Sequence, residues 1–198
     1  VTRLIVWRHG ITVWNAENRV QGQTDVALDA IGREQAATAA AALAARHPDA
    51  IVASDLSRAQ QTAQPLAALT GLPVSLDPRL RERDFGEWQG LRMSEVAERF
   101  PDAHARWRAG LPVGACGMEE IEDLAKRVAA ALQEAAERVP EGTVVVGTHG
   151  GAAKYGVAAL LGWPLLIGRT LGTLTNCHWI ELRSDPVTGW RMLSYNAR

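Results

Sequence analysis

The sequence predicts an α/β fold, a three-layer α/β/α sandwich around a mainly parallel central sheet. Three observations predict it. Short apolar runs rich in Val, Ile and Leu alternate with helix-patterned segments, the order that builds parallel sheets. Two of the strongest runs lead into a His-Gly pair, Leu4–Trp7 through Arg8 and Thr143–Thr148 directly, and ligands of open α/β sheets bind beyond such strand ends. The 198 residues, 47% hydrophobic and 22% charged, suit one compact domain, residues 1–198, with a sizeable core.

In chain order, Leu4–Trp7 reads as a short buried strand stopped by Arg8-His9-Gly10. Asp29 is placed to N-cap a helix from Ala30 to Arg46, which His47-Pro48 ends. Ala50–Ala53 is a second strand. Ser54-Asp55 is expected to cap the next helix, which carries Arg58 in its first turn and runs towards Gly71. Pro73–Leu76 forms a third strand. Arg79–Gly117 is the least regular stretch, with short helical pieces around Ser94–Phe100 and Ala103–Ala109. A long amphipathic helix covers Glu119–Arg138, and Pro140-Glu141-Gly142 turns the chain into the Thr143–Thr148 strand. A helix starts at once at His149-Gly150-Gly151. Cys177–Leu182 and Trp190–Tyr195 read as β-strands joined by a turn between Ser184 and Gly189.

Composition removes several classes of function. Lys and Arg number 21 against 22 Asp and Glu, for a formal charge of −1, so there is no basic excess for nucleic acid or a membrane surface. The most apolar later stretch, Val157–Gly168, is broken by Gly162 and Pro164 and is too short for a bilayer. The opening run is too short for a secretory signal. Cys116 and Cys177 form neither a disulfide framework nor a Cys-x-x-Cys pair, which favours a reduced, cytoplasmic chain.

Arg8-His9-Gly10 alone suits an ordinary loop, and His149-Gly150-Gly151 alone suits a strand-to-helix turn. Together they put two imidazoles at the carboxyl ends of two buried strands, with Arg8 beside the first and Arg58 after a third strand end. Arginines near helix N-termini make an anion site. A neutral imidazole is a competent nucleophile for phosphorus, and a cationic pocket suits a phosphoryl group with charge spread over three oxygens.

Five blocks in order resemble the histidine phosphatase superfamily, which has the phosphoglycerate mutase-like fold. They are Arg8-His9-Gly10 with Trp14-Asn15, Gln21-Gly22 and Asp25; Ser54-Asp55-Leu56-Ser57-Arg58; Leu80-Arg81-Glu82; Phe85-Gly86-Glu87-Trp88-Gln89-Gly90; and Gly147-Thr148-His149-Gly150-Gly151. The resemblance implies that His9 is the nucleophile that becomes phosphohistidine. It implies that Arg8, Arg58 and His149 hold the phosphoryl oxygens and that Glu82 is the proton donor. Asn15 matches a phosphate-binding or orienting position, and Gln21, Gly22 and Gln23 match the loop that approaches the substrate. Arg83 and Gly150 join these as expected substrate contacts. Ile11 stands where many members have a polar residue. The chemistry requires no metal, because arginines and imidazoles supply the stabilising charge, and no cofactor is implied. Glu82 by itself, between Arg81 and Arg83-Asp84, looks like a solvated charged loop; the Phe-Gly-x-Trp-x-Gly block after it is what lifts it.

Competing motifs fail. Cys177-x5-Arg183 has the spacing of a thiol phosphatase loop, but His178-Trp179-Ile180-Glu181-Leu182 alternates like a strand and lacks the small residues that such a loop needs. Cys177 is therefore expected in a buried strand. His47, His104 and His178 lack metal-ligand spacing. No dinucleotide or P-loop glycine motif is present.

The resemblance covers mutases and phosphatases alike. The short segment between Glu82 and His149 favours an open, hydrolytic site, and the chain is more similar to the phosphatase branch, including broad-specificity bacterial phosphatases and glucosyl-3-phosphoglycerate phosphatases. The expected activity is hydrolysis of a small phosphomonoester. A phosphoglycerate mutase and a catalytically silent phosphate-ester-binding regulatory module are the alternatives. Specificity is expected from Gln23, Arg83, Trp88, Arg92, Trp107, Leu111–Met118 and Leu171–Asn176, and the late strands offer an edge for a homodimer.

Overall fold

The computed structural model describes residues 1–198. A six-stranded sheet is formed by β1 (Arg3–Arg8), β2 (Ala50–Ala53), β3 (Val74–Leu76), β4 (Thr143–Thr148), β5 (Trp179–Asp185) and β6 (Gly189–Ala197). The order is β3-β2-β4-β1-β5-β6. The first four strands run parallel and β5 and β6 are antiparallel to their neighbours.

Because side chains alternate along a strand, β1 and β4 feed two cores. Leu4, Val6, Val144 and Val146 face one layer, with Leu124, Val128, Ala153 and Val157. These come from α6 (Ile121–Glu137) and α7 (Gly150–Leu160). Ile5, Trp7 and Val145 face the other layer, with Ala36, Ala40, Ala63 and Leu66. These come from α2 (Ala30–Ala44) and α3 (Ser57–Thr70). Burial on both faces is why β1 and β4 read as continuous apolar runs. Smaller helices complete the chain: α1 (Val13–Ala16), α4 (Met93–Arg99), α5 (Pro101–Ala109) and α8 (Ile167–Thr170).

The sandwich and its mainly parallel sheet agree with the sequence reading, and three local expectations change. Asp29 does cap α2, its carboxylate accepting from Gly32 N, but the helix closes at Ala44. Neither Ser54 nor Asp55 caps α3; the N-cap is Leu56, whose side chain makes no cap bond. Asp25, remote in sequence, supplies the cap, with Oδ1 accepting from Ser57 N at 2.7 Å. That frees Ser54 and Asp55 for other partners. Cys177 is buried, but it lies in the turn before β5 with φ +58°, because the chain must turn there to deliver its N–H to the Arg8 carbonyl.

Candidate active site

His9 leaves the end of β1 only 4% exposed to solvent, and His149 leaves the end of the adjacent β4 fully buried. Their ring centroids lie 5.2 Å apart. His9 Nδ1 sits 2.6 Å from the Gly10 carbonyl oxygen. A carbonyl only accepts, so Nδ1 carries the proton and Nε2 keeps its lone pair. Burial first, then the Arg58 and Arg8 charges, pushes the His9 imidazole well below its ordinary range, and His149 is lowered by the same leading causes. The loop behind His9 is pinned: Thr62 Oγ1 accepts from Gly10 N at 3.0 Å, and Asn176 Nδ2 donates to the His9 carbonyl at 3.0 Å.

Arg58 is fully buried in the first turn of α3. Its Nε donates to His149 Nδ1 at 3.2 Å, Nη1 to the Thr24 carbonyl at 2.8 Å and Nη2 to the Gly22 carbonyl at 2.6 Å. A guanidinium has five N–H donors, so two remain for a ligand. Burial lowers Arg58 to about 10, which leaves it cationic at neutral pH. Since Nδ1 of His149 accepts, its Nε2 donates to Ser54 Oγ at 2.9 Å. A phosphoryl oxygen therefore reaches His149 only by displacing one of these partners. Arg8 donates through Nη1 to the Leu174 carbonyl, while its Nε is buried with no partner. That orphaned cationic donor is placed to receive an anionic acceptor.

Glu82 reaches the N-terminus of α7. Oε2 accepts from Gly151 N at 2.9 Å, and Oε1 from Ala152 N at 2.8 Å and Arg83 N at 2.9 Å. A Cβ on Gly151 would lie 2.6 Å from Glu82 Oε1, so glycine at this position is what lets the carboxylate dock.

The other expected residues divide. Gly22 takes φ +54°, a left-handed conformation that costs glycine nothing, and its carbonyl faces Arg58. Gln23 donates through Nε2 to the Glu82 carbonyl at 3.2 Å, and so supports the carboxylate's loop. Gln21 Oε1 is buried without a partner. Asn15 Oδ1 is taken up by Thr12 N and Oγ1 in the capping box of α1, and no bond joins Asn15 to His9 or to the arginines. Arg83 and Gly150 line a cavity of about 290 Å³ together with Arg8, Glu82, Trp107, Lys154, Tyr155 and Leu174. Of the expected specificity residues, Trp107 lines this cavity, as do Thr173 and Leu174 from the Leu171–Asn176 segment, whereas Trp88 is fully buried and Arg92 is exposed with its N–H on Glu95. Burial pushes the Cys177 thiol up to about 12, which makes it a poor nucleophile.

Sequence reasoning missed several supporting residues. Lys154 sits one helical turn beyond Gly150, an i+4 spacing that could have placed it on the same face. Thr62 stands at i+4 from Arg58 and donates to its carbonyl at 2.7 Å. Arg127 of α6 has no sequence signal. Its Nη1 donates at 2.7 Å to the Arg79 and Arg81 carbonyls, its Nη2 at 2.9 Å to the Glu82 carbonyl, and the same fork grips Glu119.

Two buried neutral imidazoles, the buried Arg58 guanidinium, the partly buried Arg8 guanidinium and a carboxylate at a helix N-terminus define a phosphoryl-transfer site at the carboxyl edge of an α/β sheet. The comparisons agree. Residues 4–198 match the model of the histidine phosphatase superfamily (branch 1), and the chain belongs to that family. It is a histidine phosphatase, a phosphoric monoester hydrolase. It is 39% identical to a glucosyl-3-phosphoglycerate phosphatase of Mycolicibacterium vanbaalenii over 100% of this chain and 95% of that one. It is 36% identical to a metal-independent phosphoserine phosphatase of Arabidopsis thaliana, over 78% of this chain and 66% of the relative. Among solved structures, a mycobacterial glucosyl-3-phosphoglycerate phosphatase complexed with VO3 superposes with a TM-score of 0.90 at 38% identity, covering 100% of both chains.

Proposed function

We propose that the chain hydrolyses small phosphomonoesters without a metal, through a phosphohistidine on His9. The observation that carries this is the His9 ring. Its Nδ1 proton is committed to the Gly10 carbonyl, its Nε2 lone pair is free, and burial between Arg58 and Arg8 keeps it neutral. Nε2 attacks phosphorus in line, the P–O bond to the alcohol breaks, and the leaving oxygen takes a proton from Glu82. The charge gained by the ring is shared with the Gly10 carbonyl through Nδ1–H. Arg8 Nε and the two spare Arg58 N–H groups hold the phosphoryl oxygens, and His149 keeps Arg58 in position. Glu82 then accepts a proton from water as that water attacks phosphorus, the N–P bond breaks, and neutral His9 returns. Asn15 and Gln21 complete the substrate approach with Gly22, Gln23, Arg83 and Gly150.

The names of the relatives support a phosphatase acting on soluble esters. A phosphoglycerate mutase reading shares the same first half-reaction, and a probable phosphoglycerate mutase of Enterobacter sp. is 38% identical over 92% of this chain. Incubation with 3-phosphoglycerate and a bisphosphate primer separates the two: net phosphate release without isomer interconversion is expected. His9→Ala is expected to lower phosphate release by at least a thousandfold, and acid quenching of the wild type to trap an acid-labile adduct on His9. Full turnover by His9→Ala would overturn the assignment. The free cysteines Cys116 and Cys177 suit a reducing compartment, and we place the protein in the cytoplasm as one domain over residues 1–198. No helix is long and apolar enough to cross a membrane. β6 is a free edge of the sheet, the place for a homodimer contact if one forms.

A further inference from the structure

The two spare Arg58 donors are aimed by the bonds that hold the rest of the guanidinium. Two of those bonds go to the Thr24 and Gly22 carbonyls, which can only accept. The third runs from Nε to His149 Nδ1 at 3.2 Å, and an imidazole accepts at that atom in only one of its two neutral forms. With the proton on Nδ1 instead, two N–H groups would face each other between side chains that are both fully buried. The form a ring takes is set by the partner of its other nitrogen. His149 Nε2 has a single partner, Ser54 Oγ at 2.9 Å.

Ser54 reaches that nitrogen from the sheet. It follows β2, and its N–H donates to the Gly147 carbonyl at 2.9 Å, so the pairing of β2 with β4 runs on one residue past Ala53. Ser54 therefore stands beside the end of β4, where His149 leaves, and it is fully buried. Its hydroxyl is not spent on α3. Asp25 takes both the N–H and the hydroxyl of Ser57, and the one other bond to Ser54 Oγ is a long one from Leu56 N, at 3.4 Å.

We propose that Ser54 is a positioning residue for the phosphoryl cradle: its hydroxyl oxygen keeps the His149 proton on Nε2, and so keeps Arg58 turned with its two free N–H groups towards the substrate. His9 and His149, 5.2 Å apart, then carry their protons on opposite nitrogens, Nδ1 in the first and Nε2 in the second. The proposal rests on the phosphatase reading above and adds that a group removed from the cation by one imidazole decides how the cation is aimed. Without Ser54 Oγ the buried Nε2–H has no acceptor, and the ring escapes that cost by shifting its proton or turning. Either change takes the acceptor away from Arg58 Nε.

Ring 15N NMR reads the proton directly. In the wild type, His149, assigned by difference from His149→Gln, is expected to show a protonated Nε2 and a bare Nδ1; a proton on Nδ1 overturns the proposal without any further variant. Ser54→Ala is expected to abolish that pattern and to lower kcat/KM by about tenfold, the penalty of an unpartnered buried donor. The loss should be the same for p-nitrophenyl phosphate and glycerol 1-phosphate, because Arg58 holds the phosphoryl group whichever alcohol leaves. Ser54→Cys fills the same space with a weak acceptor and is expected to behave like Ser54→Ala. An unchanged kcat/KM or an unchanged His149 pattern in Ser54→Ala, a clearly unequal loss between the two esters, or wild-type activity in Ser54→Cys each overturns the proposal. If the wild type hydrolyses neither ester, the phosphatase reading fails, and calorimetry with orthovanadate then decides Ser54: weaker binding by Ser54→Ala supports its role, and equal binding overturns it.

Discussion

Arg127 gives the most demanding test of how Glu82 is positioned, because it touches no substrate. Its guanidinium holds the carbonyls of Arg79, Arg81 and Glu82 and both oxygens of Glu119, whose Oε2 in turn accepts from Asp84 N at 3.1 Å. Arg127→Met removes five donor contacts and leaves the Glu119 carboxylate without its partner. The two side chains are 21% and 16% exposed, so solvent softens the loss. The expected cost is about 3 kcal/mol, the low end of the range for breaking a buried pair. For a domain of this size that is a fall in Tm of about 6–12 °C, measurable by calorimetry. The chain should stay folded at 25 °C, because small domains are stable by about 5–15 kcal/mol.

The catalytic consequence has a distinct signature. General acid catalysis is worth about 10²–10⁴-fold when the leaving alcohol is a poor one. An alkyl phosphate needs the proton from Glu82; p-nitrophenolate leaves without it. In Arg127→Met the kcat for glycerol 1-phosphate is expected to fall at least tenfold more than the kcat for p-nitrophenyl phosphate, and Arg127→Lys to recover little, since a single ammonium cannot span three carbonyls and a carboxylate. Glu82→Gln is the control and should show the same leaving-group selectivity. If Glu82→Gln shows it and Arg127→Met slows both esters equally, Arg127 is structural and the positioning argument is wrong. If Glu82→Gln does not show it, Glu82 is not the acid.

Two further outcomes follow from the same geometry. His9 and His149 are held neutral in the native protein, whereas in the unfolded chain they titrate near 6.5. Stability should therefore be flat above that value and fall as pH drops through it, because the unfolded state binds protons that the native state refuses; two such groups give a limiting slope of about 2.7 kcal/mol per pH unit, read from urea midpoints between pH 7.5 and 5. A slope of zero in that interval would contradict two neutral buried imidazoles. Gly151→Ala puts a methyl group against Glu82 Oε1, and the flexible carboxylate moves away before the helix does. Activity on alkyl phosphates is expected to fall about tenfold with Tm nearly unchanged, and unaltered alkyl phosphatase activity would show that the docked position of Glu82 is dispensable.

Where the signal was local, the residues were readable in the sequence. β1 and β4 are buried on both faces, so their strands are apolar throughout, and the His-Gly pairs mark where they end. Asp29 before an Ala-rich run gave the start of α2 because capping acts over three residues. Position along the chain could not show what long-range contacts supply. The α3 cap comes from Asp25, so Ser54, a capping candidate by sequence, is released to hold His149. Arg127 clamps a loop more than forty residues away, and Asn176 fixes the His9 carbonyl from the far end of the chain.

The sequence alone determined the sandwich, the two strand ends and the residue types of a phosphoryl-transfer centre, since each depends on periodicity or on a short block of neighbours. Only the tertiary structure decided which ring nitrogen of His9 is free, which Arg58 donors remain, and where Glu82 docks. Those depend on which buried donor meets which acceptor, and such pairings are set by the close packing of segments that are distant in the chain.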